Sequence, residues 1–300
     1  MATNEDESEG ATEEGDDDET ADGEALVDQK IDGRKKRLKL GYQVAALSYV
    51  ATALYGLVSW GSLSASAFYY VVGGGPLNMA VILYILKGAS VHDRLGSDTY
   101  KRLNLAVVSY ALIQLLMPTG AVGSAGRASL KIPGFLALIN GIKGYGYGVM
   151  DWDKSKGVAA ILTDIRDGFT STLKGLATIK VKSLGYMLGT LLLGSMFCLK
   201  LNALCTIPLT TAEKVTRLSK LARFGLMATI MYTLKDACDR DRLSGTTFVQ
   251  LNLVAAAAFL SISLYLLPTY GTLLANTQIL VAGGLCAMTL FQGLTNKKKA

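Results

Sequence analysis

The residues best suited to chemistry in this chain come in matched pairs. Lys87, Asp93, Arg94 and Asn104 recur, in the same order and at the same spacing, as Lys235, Asp241, Arg242 and Asn252. A lysine, an Asp-Arg pair and an asparagine, present twice, could ring the mouth of a pathway and bind an anion or a lipid headgroup, because arginine offers a planar fork that matches phosphate and carboxylate. The same residue types also have structural uses. Asp can cap the helix that follows it, Arg can pair with that Asp, and Lys can satisfy the C-terminus of the helix before. The residue types alone leave both readings open.

Other chemistries are poorly served. The single histidine, His92, is matched by Arg240 in the second copy, so neither a paired-histidine metal site nor a di-haem arrangement can form. The four cysteines (Cys198, Cys205, Cys238, Cys286) have no CxxC spacing and lie in or near apolar runs, where they behave as small apolar residues. Gly73-Gly74-Gly75 lacks the Lys-Ser/Thr of a phosphate-binding loop. No nucleophile motif is present and no motif identifies a cofactor. These residues argue against an enzyme, although loop carboxylates acting on a lipid substrate remain compatible with them.

The pairs belong to a longer repeat. Residues 79–105 align without gaps to residues 227–253 at an offset of 148, with 14 of 27 positions identical. Leu40-Gly41-Tyr42 matches Leu184-Gly185-Tyr186, and Pro118-Thr119 matches Pro268-Thr269. Two unrelated apolar helices would share Leu and Ala by composition, but not a Lys, an Asp-Arg-Leu triplet, a Thr and an Asn in register. The chain is read as a tandem duplication.

Composition places this duplication in a membrane. Half of the 300 residues are hydrophobic, 18% are charged, and the mean hydropathy is +0.33. The apolar residues fall in runs near the roughly 20 residues that a helix needs to cross a bilayer. Candidate spans are about 42–62, 67–87, 103–120, 131–149, 184–206, 220–236, 248–267 and 273–294, with Tyr42, Trp60, Tyr147, Trp152 and Tyr270 near their ends as interfacial anchors. No Asp or Glu falls in the interior of a span, which disfavours carboxylate proton relays. The expected fold is therefore all-α and polytopic, about eight transmembrane helices in two parallel four-helix repeats. An even number of spans per repeat makes both copies enter the membrane in the same sense.

Five segments follow: an acidic disordered tail and basic juxtamembrane segment (1–38), a first membrane repeat (39–149), an amphipathic linker (150–183), a second repeat (184–296) and a basic tail (297–300). The net charge of +6 divides the same way. Residues 1–24 hold 12 of the 24 acids and no base, so the remainder carries 30 bases against 12 acids. With the N-terminus inside, 23 Lys and Arg lie on the inner side and 7 on the outer, which places both termini on the cytosolic or equivalent side. Nothing resembles a cleavable signal peptide or a transit peptide. Lys297-Lys298-Lys299-Ala300 resembles a dilysine retrieval signal, pointing to the endoplasmic reticulum; the alternatives are a basic anchor at the end of the last span, or another organelle membrane such as a plastid.

Two further patterns bear on function. Gly73-Gly74-Gly75-Pro76 interrupts span two, and Lys220 and Arg223 shorten span six, leaving about 11 clean residues in each. Paired broken spans point to a transporter's binding site, whereas a kink or a helix starting at Pro76 is the plainer account. In the linker, Ile161, Ile165, Phe169, Leu173 and Leu176 form an apolar stripe, expected to lie on the inner membrane surface or to pack against the bundle. Gly134, Gly141, Gly144 and Gly148, with Gly185 and Gly189, suit close helix contacts within the bundle or a homo-oligomer. Two functions follow: a transporter or channel for a small, anionic solute along the repeat interface, or a non-catalytic scaffold or assembly subunit with membrane-protein partners. The lipid bilayer is a partner in both. Nucleic acid is not, despite the basic charge, because the cations flank apolar spans.

Overall fold

A computed structural model of the chain describes residues 18–59, 75–118, 124–150 and 157–270, together with Gly284. Eight α-helices and one 3₁₀ turn make up these residues, with no strand among them. They are α1 (Asp18–Ser59), α2 (Pro76–Val91), α3 (Asp98–Leu116), α4 (Ser124–Met150), α5 (Gly157–Ala177), the 3₁₀ turn Val181–Ser183, α6 (Leu184–Thr206), α7 (Thr211–Asp239) and α8 (Thr246–Tyr270). The all-α expectation holds. Seven of the eight expected spans fall on α1 to α4 and α6 to α8. Span 273–294 except Gly284, the tail at 297–300, residues 1–17, Trp60, Gly73, Gly74 and Trp152 lie outside the described residues.

Several boundaries differ from expectation. Residues 18–24, expected to be disordered, are helical backbone at the start of α1. Within the described part of span two a helix starts at Pro76, which takes the first helical position after Gly75; a proline there gives up an N–H that has no helical partner anyway. Its counterpart α7 runs unbroken through Lys220 and Arg223. The helix start at Pro76 thus has no counterpart at the matched place in α7.

α1 packs along α2 and α4, α3 along α4, and α6 along α7. Between the copies, α3 lies against α7 and α2 against α8. One continuous apolar core results, with Leu83, Leu86, Leu103 and Val107 of the first copy and Leu226, Ile230, Leu234 and Leu251 of the second. Close approach to α4 depends on glycine. A methyl group at Gly144 would overlap the Tyr42 hydroxyl, and one at Gly148 would overlap the backbone of Leu95.

α4 extends seven residues before the expected start of its span and contains Pro133. A proline inside a helix leaves the carbonyl four residues earlier without its usual donor. That carbonyl belongs to Ser129, and the Thr52 hydroxyl of α1 donates to it at 2.7 Å. The adjacent Leu130 carbonyl accepts from Gln114 Nε2 at 2.7 Å, and Gln114 accepts in turn from the Tyr49 hydroxyl at 2.6 Å. Side chains of α1 and α3 thereby complete the backbone of α4.

Among the described residues one helical stretch, Val181–Thr206, is long and apolar enough to cross a membrane, and only 11% of its most apolar part is buried within the protein. Pro76–Val91 and Thr246–Ile262 are apolar but shorter.

Candidate functional site

The matched loops fold alike, and their backbone explains the matched Asp. In the first loop the Arg94 N–H bonds the Ala89 carbonyl at 3.0 Å; in the second the Arg242 N–H bonds the Ala237 carbonyl at 2.8 Å. This bond closes the last turn of α2 and of α7, and it requires a left-handed residue just before the donor. Asp93 (φ 51°) and Asp241 (φ 54°) are those residues, and they are the only non-glycine residues with positive φ among the described ones. Asp tolerates this region better than most side chains. Each Asp therefore ends the helix before it, where capping of the helix after it was expected. The similarity continues through the turn. The N–H groups of Tyr100 and Lys101 bond the Ser97 carbonyl, as those of Phe248 and Val249 bond the Gly245 carbonyl.

The carboxylates do not pair with their neighbouring arginines. Asp93 accepts from Lys35 Nζ at 2.9 Å and Asp241 from Lys182 Nζ at 2.7 Å. The Asp241 hydrogen bond raises the Lys182 pKa above its ordinary value. Leu95 and Leu243, which follow the arginines, are buried, while Arg94 and Arg242 are exposed.

Asn104 and Asn252 lie deeper and have the same partner in each copy. The Tyr42 hydroxyl donates to Asn104 Oδ1 at 2.5 Å, and the Tyr186 hydroxyl to Asn252 Oδ1 at 2.8 Å. Both asparagines are fully buried, and both side-chain nitrogens lack a hydrogen-bond partner. The repeated Leu-Gly-Tyr triplet was the sequence signal for this pairing, but it did not show what the tyrosine would touch.

The matched lysines diverge. Lys87 rests over the Tyr84 ring at 5.3 Å. Lys235 is 2% exposed and donates to the carbonyls of Gly175 and Thr178, the latter at 3.1 Å, where α5 ends. It also pairs with Asp239 at 2.7 Å. Burial raises the Asp239 pKa, but the Lys235 ammonium and the Ser183 hydroxyl outweigh it and hold the carboxyl below its ordinary value. Beside them, burial raises the pKa of the Cys238 thiol, which donates to the Lys182 carbonyl at 3.2 Å. The second lysine thus secures the linker helix, whereas among the described residues Lys87 rests on a tyrosine of its own helix.

Polar contacts between the copies gather at this same end. Tyr100 of α3 and Thr247 of α8 meet hydroxyl to hydroxyl at 3.0 Å. Arg102 pairs with Asp236 at 3.0 Å and lies 5.0 Å over the Tyr232 ring. Asp236 also takes Arg240 at 3.1 Å. Asp164 of α5 accepts from Lys101 at 2.5 Å and from the Tyr145 hydroxyl at 2.6 Å. The N-termini of α3 and α8 therefore meet at this end, beside the C-terminus of α7.

At the other end of α7 a cleft of about 540 Å³ opens between α6 and α7, lined by Lys200, Glu213, Thr216, Arg217 and Lys220 among others. Thr210 and Glu213 form a reciprocal cap at the start of α7, and Arg217 donates to the Ala203 carbonyl at 3.2 Å. The Thr-x-x-Glu pattern signals this cap in the sequence; the cleft itself depends on how α6 meets α7. No group of three or more potential metal ligands occurs among the described residues. No protein-family model, curated protein or solved structure matches the chain.

Proposed function

We propose that this chain is a polytopic membrane protein of about eight spans in two parallel four-helix repeats, 39–149 and 184–296, acting as a non-catalytic scaffold or assembly subunit. The membrane reading is supported by the character of the exposed surface. Leu188, Leu191, Leu192 and Leu199 of α6 and Leu40, Leu47, Leu54 and Val58 of α1 are apolar and outward-facing. Water would penalise such faces, whereas lipid would solvate them.

The scaffold reading is carried by one observation: apart from Arg94 and Arg242, the matched polar residues contact other parts of the fold. Asp93 and Asp241 close helices and pair with lysines, Asn104 and Asn252 accept from buried tyrosines, and Lys235 binds the end of α5. The repeat interface is apolar core along most of its length, with the Tyr100–Thr247 and Arg102–Asp236 contacts at one end. Purification of the full chain in mild detergent, followed by particle-mass measurement, tests the reading. A stoichiometric complex or homo-oligomer is expected, and recovery as a single 31.9 kDa chain would overturn it.

A transport reading is favoured by a different observation. Arg94 and Arg242 remain exposed on the two loops that enter α3 and α8 beside the Tyr100–Thr247 contact. An anion approaching the repeat interface from this end would meet both. Anion flux in reconstituted vesicles, lost when Arg94 and Arg242 are both changed to Ala, would establish that function; wild-type protein inert across a broad anion panel would remove it. In either reading both termini lie on the inner side, in the endoplasmic reticulum or another organelle membrane. Imaging the tagged chain together with protease protection of its termini tests this placement.

A further inference from the structure

We infer that α5 is a lipid-contacting strap, seated on both repeats and presenting an apolar stripe to the membrane interface at the inner end of the bundle. The inference deepens the membrane reading above and rests on it.

The first ground is where α5 is held. Near its start, Asp164 binds Lys101, close to the beginning of α3, and Tyr145, close to the end of α4. Near its finish, the Ser171 and Gly175 carbonyls accept from Tyr232 and Lys235 of the last turns of α7. Asp164 and Gly175 are about 16 Å apart along a helix rising 1.5 Å per residue. α5 therefore runs across the ends of three bundle helices rather than alongside any of them. If those helices cross a bilayer, a helix laid across their ends lies in its interfacial plane.

The second ground is how the surface of α5 is divided. On a helical projection its residues fall into three sectors about 120° apart. One carries Asp164 and Gly175, half-buried against the bundle, and a methyl group at Gly175 would collide with the Tyr232 hydroxyl. The second carries Val158, Leu162, Ile165, Phe169 and Leu173, all exposed, with Phe169 at 66%. The third carries Thr163, Asp167, Thr170 and Lys174, also exposed. A two-faced helix is what a connector packed on a soluble core needs. Three sectors, one for protein, one apolar and one polar, suit a helix where protein, lipid and water meet. The exposed set differs from the expected one at its ends: Ile161 and Leu176 are half-buried, whereas Val158 and Leu162 are exposed.

The occupant is the bilayer boundary. The apolar and polar sectors of one helix must both be solvated, and the membrane interface offers acyl chain and water within the width of that helix. A soluble partner covering the stripe would not explain why the helix lies across the bundle end.

The test uses the full chain with Trp60 and Trp152 changed to Phe, in phosphatidylcholine nanodiscs brominated near the glycerol end of the acyl chains. Single tryptophans are introduced by Phe169→Trp on the stripe, Asp167→Trp on the polar sector and Leu192→Trp on the outer face of α6. The expected result is loss of emission from the Phe169→Trp and Leu192→Trp proteins and no loss from the Asp167→Trp protein. Quenching of the Leu192→Trp protein but not the Phe169→Trp protein overturns the strap while leaving the membrane reading intact. If neither is quenched, the membrane reading falls and the strap with it. Quenching of all three proteins to the same extent also overturns the strap, because α5 would then be immersed without a water-facing side.

Discussion

Tyr100 of α3 touches Thr247 of α8, hydroxyl to hydroxyl at 3.0 Å. By the sequence repeat, Tyr100 corresponds to Phe248 and Thr247 to Thr99, so equivalent helix starts meet each other. A partly buried hydrogen bond of this kind contributes about 0.5–1.5 kcal/mol. A double-mutant cycle of Tyr100→Phe and Thr247→Val, read by thermal unfolding in detergent, should return a coupling in that range. Strict additivity would show that the two hydroxyls do not interact.

The two Tyr–Asn pairs should behave as equivalents. Tyr42→Phe or Tyr186→Phe leaves a buried amide oxygen without its donor, at a cost of about 1–3 kcal/mol. Adding Asn104→Leu to Tyr42→Phe removes both partners and should recover part of that loss. Melting temperatures of the single and double variants check this, and a harmless Tyr42→Phe would contradict it.

Thr52 and Pro133 should show an unusual form of rescue. Thr52→Val removes the hydroxyl that donates to the Ser129 carbonyl and should destabilise by about 1–2 kcal/mol. With Pro133→Ala, residue 133 regains an N–H that can reach Ser129, so Thr52→Val should then cost much less. Equal costs in both backgrounds would mean that Thr52 is not compensating for the proline.

Lys235→Met should loosen the end of α5. Breaking a buried ion pair by removing one partner costs about 3–5 kcal/mol, because the other charge stays behind. Hydrogen exchange over residues 171–178 should quicken far more than over α2. Lys87→Met, at the matched position, should leave exchange in α5 unchanged, since Lys87 rests on Tyr84.

Acid should act on the same contact. The Asp239 pKa is lowered in the folded protein. Its contribution to stability is therefore fully present above the ordinary carboxylate value of about 3.9 and is lost as pH falls through the lower folded value. Exchange at the end of α5 should rise over that acid window in the wild type. Asp239→Asn should flatten the dependence, and an unchanged profile in that variant would assign the titration to another group.

Much was legible in the sequence because it depends on local pattern. Runs of apolar residues set the helices, and the register of Lys, Asp-Arg-Leu, Thr and Asn marked two loops that do share one backbone path. Pro76 could be read as a helix start or as a break within a span, and a proline at the first helical position costs nothing locally.

Tertiary structure decided what the marked residues do. Asp93 and Asp241 keep the same left-handed conformation because chain geometry at a helix end is local, but their lysine partners lie 58 and 59 residues away. Lys87 and Lys235 are identical in type and register, yet only Lys235 is buried, because α5 follows the first repeat and comes to rest on the second. Thr52 meets the carbonyl that Pro133 frees only because α1 packs along α4. A sequence repeat records what each copy needs by itself. How a lone linker breaks the symmetry depends on side chains distant in the chain, which meet only once the apolar core has drawn the helices together.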